Sequence, residues 1–288
     1  MNEQTAGWPA PAKLNLMLHI TGRRADGYHV LQTVFLFLDL CDELEFEITE
    51  DAGISRLEGP SFIDAEDDLV VRSARALQQE TGADQGVQIR IRKRIPVGAG
   101  LGGGSSDAAT TLHALNRLWK LDLDVDRLAD IGLSLGADVP VFVRGFAAFA
   151  EGIGERLQAV TIDECWYLLI TPDVHVSTAE IFSDQDLTRD CPTIKICDLS
   201  ATDWDNVCVP VVTRRYPEVD KALKLIESLA DAKMSGTGAS VFARFDSRQE
   251  AEQALAQLKT TADWGERWQH FVCRGKNQSP LFEFMKAI

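Results

Sequence analysis

The sequence predicts an α+β protein in which helices cover mixed sheets. Two kinds of pattern predict this fold class: segments in which apolar and polar residues alternate, as in strands, and segments with apolar residues three and four positions apart, as in helices. The patterns occur in runs of strands and runs of helices, without strict alternation of the two. The length of 288 residues fits one large domain or two ordinary ones.

Three strands are predicted in the first half of the chain. Residues 13–20 alternate between an apolar face and a second face that begins with Lys13 and Asn15. Residues 43–49 and 87–92 alternate between charged or polar and apolar side chains. Such alternation is typical of strands with one buried face.

Five segments have the apolar spacing of amphipathic helices: residues 70–77, 108–119, 125–135, 219–226 and 251–258. The first is expected to be capped by Asp67 and the fourth to begin after Pro217. Three further strands are predicted in the second half: residues 166–171, 240–245 and 269–274. The first group of predicted strands and helices ends at the glycine-containing stretch 152–155, and a new buried strand begins after it. We therefore expect a domain boundary here, with domains of residues 1–157 and 158–288.

Composition excludes several classes of protein. The chain has 29 basic and 44 acidic residues, so its formal net charge is 29 − 44 = −15, and it lacks the basic stripe that nucleic-acid binding needs. No apolar run has the length of a membrane span. The six cysteines lie far apart, which indicates reduced core thiols in a cytoplasmic protein. We expect small-molecule substrates, no nucleic-acid or membrane partner, and a monomer or weak homodimer.

A glycine-rich segment joins a predicted strand to a predicted helix. Five glycines fall within seven residues, which removes Cβ atoms where backbone N–H groups must approach an anion, and the following helix N-terminus adds unpaired donors. This arrangement predicts a loop that holds a polyphosphate. The segment consists of Pro96, Val97, Gly98, Ala99, Gly100, Leu101, Gly102, Gly103, Gly104, Ser105 and Ser106.

Other interpretations of this loop are weaker. A plain turn capped by Ser105 needs only one or two glycines. A Walker A loop needs a lysine that this segment lacks. Gly98, Gly100 and Gly103 satisfy the dinucleotide-binding spacing, but the required second strand does not follow. The H-R-D and D-F-G segments of protein kinases are also missing.

The whole string resembles the second motif, P-x-G-x-G-L-G-S-S-x-A, of the galactokinase, homoserine kinase, mevalonate kinase and phosphomevalonate kinase (GHMP) superfamily. An extra glycine here, with the pair Tyr28-His29, points to the branch whose acceptor is a cytidine diphosphate-linked methylerythritol. Four further segments resemble motifs of that branch in the expected order: residues 11–16, 22–29, 135–142 with 150–155, and 234–240.

This resemblance implies a two-domain GHMP kinase fold with the active site in the cleft between the domains. It implies transfer of the γ-phosphoryl group of ATP to the 2-hydroxyl of that acceptor, a step of the non-mevalonate route to isoprenoid precursors. Mg²⁺ should accompany ATP. No cluster of acidic residues has the spacing of metal ligands, so no metal ligand is assigned. We expect Mg²⁺ to be coordinated mainly by water, and the Ser106 hydroxyl is a candidate for a protein ligand. Asp107 is interpreted as a first-turn residue that favours the helix dipole.

Phosphoryl transfer to an alcohol needs a base or a cation near the hydroxyl, together with neutralisation of phosphate charge. The resemblance makes Asp138 the base or orienting group, with Lys13 assisting it and the phosphoryl oxygens. From local sequence alone, Asp138 could instead cap a turn and Lys13 could be a solvated edge residue.

The resemblance also assigns the acceptor site. Tyr28 and Phe182 would lie around the cytosine ring, His29 would form hydrogen bonds to the base edge, and Asn15 and Thr178 would lie near the methylerythritol. Core packing is the alternative for these aromatic side chains. The remaining histidines, His19, His113, His175 and His270, are left as structural.

The turn at residues 235–238 should come from the second domain and pack against the phosphate loop, unless it is an ordinary hairpin turn. Residues 50–66, 184–215 and those after 246 carry no diagnostic signal. Three other functions remain open: another kinase of the superfamily, an NAD-dependent oxidoreductase, and a nucleotide sensor without catalysis.

Overall fold

A computed structural model describes residues 7–25, 27–198 and 204–288, so Asp26 of the segment 22–29 lies outside the described residues. Its strands are β1 (Trp8–Arg23), β2 (His29–Thr49), β3 (Ile54–Glu58), β4 (Gly86–Arg92), β5 (Ala148–Gly152), β6 (Arg156–Ala159), β7 (Trp166–Thr171), β8 (Ala232–Met234), β9 (Val241–Phe245) and β10 (Gln269–Lys276). The α+β prediction is confirmed, and each strand predicted from alternation is present.

The described residues also form α-helices that pack on the sheets. They are α1 (Leu69–Thr81), α2 (Gly103–Leu118), α3 (Val125–Leu135), α4 (Val139–Arg144), α5 (Thr178–Ser183), α6 (Val209–Arg215), α7 (Pro217–Glu227), α8 (Arg248–Leu258) and α9 (Pro280–Ala287). The five helices predicted from apolar spacing correspond to α1, α2, α3, α7 and α8. None of the helices in this part of the chain has the length and apolarity needed to cross a membrane.

One sheet runs through both halves of the chain, in the strand order β3-β4-β2-β10-β7-β9-β8. β1 and β5 also pair with β2, and every pairing is antiparallel except that of β3 with β4. Strand β10 joins the halves, because Gly275 pairs with Leu38 of β2 and Gln269 pairs with Thr171 of β7. The predicted boundary after residue 157 falls within β6 and stays a prediction.

Three apolar cores hold this arrangement together. The first packs α1 and α2 against the first half of the sheet around Trp8 and Leu112, and α9 returns to it through Leu281. The second packs α7 and α8 against β7 and β9 around Leu168 and Ile226. The third lies between them and contains Leu101 of the glycine-rich loop, so this loop is anchored in the core.

The structure corrects two sequence-based expectations, on the cap of α1 and on the thiols, and excludes one alternative, that for Lys13. Helix α1 is capped by Asp68, whose carboxylate accepts a hydrogen bond from the Val70 N–H at 3.1 Å, while Asp67 ends a preceding 3-10 turn. Lys13 is 3% exposed, so it is no solvated edge residue. Cys191 is half-buried and Cys197 is exposed, so the core interpretation of the thiols holds only for the other four.

Candidate active site

A cleft of about 680 Å³ opens beside the glycine-rich loop. Its walls include Lys13 from β1, Asp138 from the start of α4, and Thr178 and Phe182 from α5. The structure thus gathers residues that are far apart in the chain around one space. Of the predicted site residues, Tyr28, His29, Leu101 and Ser106 are not among those that line this cleft. His29 stacks on Phe182, which does line it.

Backbone conformation explains several glycines of the loop. Gly98, Gly100 and Gly102 have φ angles of 67°, 76° and 72°, which side chains other than glycine rarely adopt. A Cβ at Gly100 would also lie 2.2 Å from the carbonyl oxygen of Ser235. Helix α2 begins at Gly103, so the first N–H groups of a helix face the same region as the loop.

Gly104 has a different reason to be a glycine. It is exposed in the first turn of α2 and its φ is not positive. A Cβ there would meet only Leu69 Cδ1, at an ordinary distance of 3.6 Å. The fold does not require a glycine at this position, and glycine weakens a helix. The space left beside Gly104 is therefore suited to a ligand that approaches the helix N-terminus.

One buried carboxylate ties both ends of the glycine-rich loop. Asp42 of β2 is fully buried and accepts hydrogen bonds from the N–H groups of Arg94 and Ile95, at 2.5 and 2.8 Å, immediately before the loop. It also contacts Lys93 Nζ at 2.5 Å, and the same ammonium contacts Asp107 of α2 at 2.6 Å. The span between the strand and the helix is thereby held fixed. We call Asp42, Lys93 and Asp107 the loop clamp.

Burial and charge act in opposite directions in the loop clamp. Burial raises the pKa of Asp107, and the Lys93 ammonium opposes that shift. Burial would lower the pKa of Lys93, but the carboxylates of Asp107 and Asp42 raise it overall, so the ammonium stays charged. The expectation that Asp107 is a first-turn residue at the helix dipole is wrong, because α2 begins at Gly103 and has no acidic residue in its first turn; the side chain of Asp107 instead contacts Lys93.

Two buried oxygens at the start of α2 have no hydrogen-bond partner. They are the hydroxyl of Ser106 and Oδ1 of Asp107. Buried polar atoms are nearly always paired, so an unpaired oxygen beside a cleft indicates a partner that binds there. Hydroxyl and carboxylate oxygens suit Mg²⁺. No group of three or more His, Cys, Asp and Glu in the described residues could hold a metal ion by itself.

Lys13 and Asp138 form an ion pair at the cleft wall, with 3.4 Å between Nζ and Oδ2. The Lys13 side chain is 4% exposed and that of Asp138 is 38% exposed, so the lysine is enclosed and the carboxylate is accessible. Asp138 stands at the N-cap position of α4, but its side chain accepts no capping hydrogen bond. The capping alternative for Asp138 is therefore wrong, and its carboxylate is available to a ligand.

Several contacts fix the direction of the Lys13 ammonium. It donates to Oδ1 of Asn15 at 2.5 Å and to the carbonyl oxygen of Gly100 at 3.2 Å, and it lies 5.4 Å from the centre of the Phe35 ring. Asn15 Nδ2 in turn donates to Thr33 Oγ1 at 2.8 Å. The ammonium therefore has one position, between the glycine-rich loop and Asp138.

The turn at residues 235–238 packs against the glycine-rich loop, as predicted. The Ser235 hydroxyl donates to the Gly100 carbonyl at 2.8 Å and accepts from the Asn15 N–H at 3.1 Å. The Thr237 and Thr178 hydroxyls share a hydrogen bond of 2.9 Å. The second half of the chain thus contributes to the wall of the cleft through Gly236 and Thr237.

Of the aromatic residues assigned to the acceptor, Phe182 lines the cleft and His29 contacts Phe182. The rings of His29 and Phe182 are stacked, with centroids 5.1 Å apart and an angle of 22°. Tyr28 is 61% exposed and does not line the cleft. The structure therefore brings His29 and Phe182 together, while the enclosure of a base by Tyr28 stays a prediction.

Sequence reasoning missed several residues of this region. Pro60 and Ile63 line the cleft although the segment 50–66 carried no signal, and His175 lies against Gly98. Lys93 was missed although a lysine directly before a polyphosphate loop is a usable signal. No sequence signal marked Asp42, because a buried aspartate in a strand cannot be distinguished by sequence from the solvated acidic residues near it.

Two parts of the chain match known protein families. Residues 68–146 match the GHMP kinases N terminal domain, and residues 196–263 match the GHMP kinases C terminal domain. The fold is shared with solved enzymes of this group, among them a homoserine kinase from Cytophaga hutchinsonii, with a TM-score of 0.67 and 19% identity over 93% of this chain and 94% of that one. The two-domain GHMP kinase fold is thereby confirmed.

More similar proteins share a single name. The "4-diphosphocytidyl-2-C-methyl-D-erythritol kinase" of Shewanella loihica is 52% identical over 97% of this chain and 96% of its own length. That of Shewanella sp. (strain MR-7) is 54% identical over 97% of each. A crystal structure of 4-(cytidine 5'-diphospho)-2C-methyl-D-erythritol kinase has a TM-score of 0.78 and 32% identity over 93% of this chain and 98% of that one. The chain belongs to the 4-diphosphocytidyl-2-C-methyl-D-erythritol kinase family of the GHMP kinases.

Proposed function

We propose that this chain transfers the γ-phosphoryl group of ATP to the 2-hydroxyl of 4-diphosphocytidyl-2-C-methyl-D-erythritol, giving ADP and the 2-phosphate in the non-mevalonate route to isoprenoid precursors. The observation that carries the proposal is the Lys13–Asp138 pair, which lies 3.4 Å apart beside the glycine-rich loop in one cleft. Membership of the family supports the choice of acceptor.

In this proposal Asp138 receives or orients the proton of the acceptor hydroxyl, because its carboxylate is accessible and uncapped. The hydroxyl oxygen forms a bond to the γ-phosphorus as the bond from that phosphorus to the β,γ-bridging oxygen breaks. Lys13, held by Asn15 and Gly100, stabilises negative charge on the transferring group. The pair thus supplies a proton acceptor and a cation at one point.

ATP would be bound by residues 96–106. The loop amides and the N-terminus of α2 provide donors, and the open space at Gly104 provides room for phosphate oxygens. The unpaired Ser106 hydroxyl is the proposed protein ligand of Mg²⁺, with water completing the coordination. The metal ion would neutralise phosphate charge when bound.

The acceptor would occupy the other end of the cleft. Phe182 lines the cleft and would contact the cytosine together with His29, which stacks on it, and with Tyr28. Asn15 and Thr178, which are fixed by hydrogen bonds to Thr33 and Thr237, would lie near the methylerythritol.

We further propose that the domains 1–157 and 158–288 flank the cleft, that the enzyme acts as a monomer or weak homodimer, and that its use of ATP places it in the cytoplasm.

A substrate panel tests the proposal. The protein is incubated with ATP, Mg²⁺ and one of three alcohols: the cytidine acceptor, mevalonate or homoserine. Formation of ADP and of the phosphorylated product is followed by ³¹P NMR. We expect a new phosphomonoester only with the cytidine acceptor. Transfer to mevalonate or homoserine alone would instead identify another kinase of the superfamily, and no ADP with any alcohol would identify a nucleotide sensor.

A further inference from the structure

A single arginine connects the two segments that carry the acceptor-site aromatics. Arg189 lies in the stretch 184–215, which showed no signal in the sequence. Its guanidinium donates from Nε to Nε2 of His29 at 3.0 Å. From its other nitrogens it donates to three carbonyl oxygens, those of Phe182 at 2.9 Å, Asp184 at 2.6 Å and Leu187 at 2.9 Å. The planar group therefore fixes the chain after α5 and the start of β2 at once.

The contact also determines the protonation of His29. A guanidinium only donates hydrogen bonds, so Nε2 of His29 must carry a lone pair. An imidazolium has no lone pair, and a neutral imidazole with a free Nε2 carries its proton on Nδ1. Burial, together with the charges of Arg189 and Arg23, lowers the pKa of His29, which agrees with a neutral ring.

We propose that Arg189 is a positioning residue for acceptor recognition, which holds His29 neutral, protonated on Nδ1 and stacked on Phe182. The inference rests on the proposed function. A ring with one fixed tautomer offers a single hydrogen-bonding pattern, with a donor at Nδ1. Cytosine presents hydrogen-bond acceptors at N3 and O2 and a donor at its amino group. A ring nitrogen that only donates can therefore pair with N3 or O2 but not with the amino group. Without Arg189 the ring can change tautomer, accept a proton or rotate away from Phe182.

The test compares two arginine variants of the same region. Arg189→Met removes every donor and keeps the apolar stem. Arg214→Met is the matched control, because Arg214 binds the carboxylates of Asp184 and Asp186 and, among the described residues, is not hydrogen-bonded to His29. Loss of a hydrogen bond from a charged donor predicts that Arg189→Met raises the KM for the cytidine acceptor about tenfold. The KM for ATP and kcat should stay within about twofold, and Arg214→Met should resemble the wild type.

A double-mutant cycle separates positioning of His29 from general support of the segment. His29→Phe keeps the aromatic stack but has no ring nitrogen. If Arg189 acts through His29, Arg189→Met should cause little further change in acceptor KM in the His29→Phe background. A full tenfold rise in that background, or an equal effect of Arg214→Met, would overturn the proposal.

A spectroscopic readout keeps the test independent of activity. Side-chain ¹⁵N shifts of His29 in the wild type should show neutral imidazole with the proton on Nδ1, and Arg189→Met should shift them towards a mixture of tautomers. An Nε2-protonated ring in the wild type would refute the inference. If the tautomer is as expected but the wild type does not phosphorylate the cytidine acceptor, the proposed function fails and the acceptor-recognition role fails with it.

Discussion

The open space beside Gly104 leads to a prediction in which stability and nucleotide binding change in opposite directions. The change is Gly104→Ala. Because the added Cβ would meet only Leu69 at 3.6 Å and the backbone is helical, the folded protein can accommodate it without strain. Replacing a helical glycine by alanine typically stabilises by about 0.5–1 kcal/mol. For a chain of this length, that corresponds to a rise in Tm of about 1–2 °C without nucleotide.

ATP binding should weaken in the same variant. If phosphate oxygens approach the helix N-terminus at Gly104, the added methyl group occupies their space. Overpacking of a close contact costs about 1–3 kcal/mol, which is about a 5- to 150-fold rise in the KM for ATP. The acceptor KM should change little, because the proposed acceptor site lies away from Gly104, around Thr178 and Phe182.

The comparison variant is Gly100→Ala. There the Cβ would lie 2.2 Å from the Ser235 carbonyl oxygen and φ is 76°, so Tm should fall as well as ATP affinity. The assays are thermal unfolding without ligand and steady-state kinetics at varied ATP. An unchanged KM for ATP in Gly104→Ala would refute the assignment of this space to phosphate. A lower Tm in Gly104→Ala would refute the inference that a Cβ fits at this position without strain.

Three further predictions concern other parts of the molecule. Asp42→Asn breaks the buried loop clamp, so the free energy of unfolding measured in urea should fall by about 3 kcal/mol. In steady-state kinetics the KM for ATP should rise more than the KM for the acceptor. Equal rises in the two KM values would contradict the proposed role of the clamp in holding the phosphate loop. Tyr28→Ala should raise the acceptor KM about 5- to 150-fold through lost stacking, and an unchanged value would remove Tyr28 from the base site. Burial lowers the pKa of His113 below 6.5, so the unfolded chain takes up a proton that the folded chain does not. The free energy of unfolding should therefore decrease as pH falls below about 6.5, by up to about 1.4 kcal/mol per pH unit. In urea titrations at several pH values, His113→Gln should make this dependence on pH shallower. An unchanged dependence in His113→Gln would show that His113 is not its source.

Much of the fold could be predicted because its signals are local. A strand-length apolar run identified β7 at Trp166–Thr171, and apolar spacing with Pro217 identified the start of α7. The glycine-rich loop was recognisable because its chemistry is concentrated in consecutive residues. The cap of α1 was displaced by one residue, since Asp67 and Asp68 are adjacent and only the three-dimensional turn distinguishes them.

The rest of the candidate site depends on contacts between distant segments. Lys13 is buried because the glycine-rich loop and the turn after β8 cover β1, and neither is visible in the alternation of residues 13–20. The contact of Arg189 with His29 spans 160 residues. A single sequence records neither partner. Motifs therefore identified many of the residues that line the cleft, while the residues that hold them in place required the structure.

The central claim is that Asp138, paired with Lys13 beside the phosphate loop, assists transfer to the acceptor hydroxyl. The most direct measurement is the single-turnover rate of phosphoryl transfer at saturating ATP, Mg²⁺ and cytidine acceptor, for the wild type and Asp138→Asn. Asp126→Asn serves as control, since Asp126 pairs with Arg144 at the surface. We predict that Asp138→Asn lowers the rate by about 10²- to 10⁴-fold with ATP affinity nearly unchanged, and that the control keeps the wild-type rate. A wild-type rate in Asp138→Asn would contradict the account.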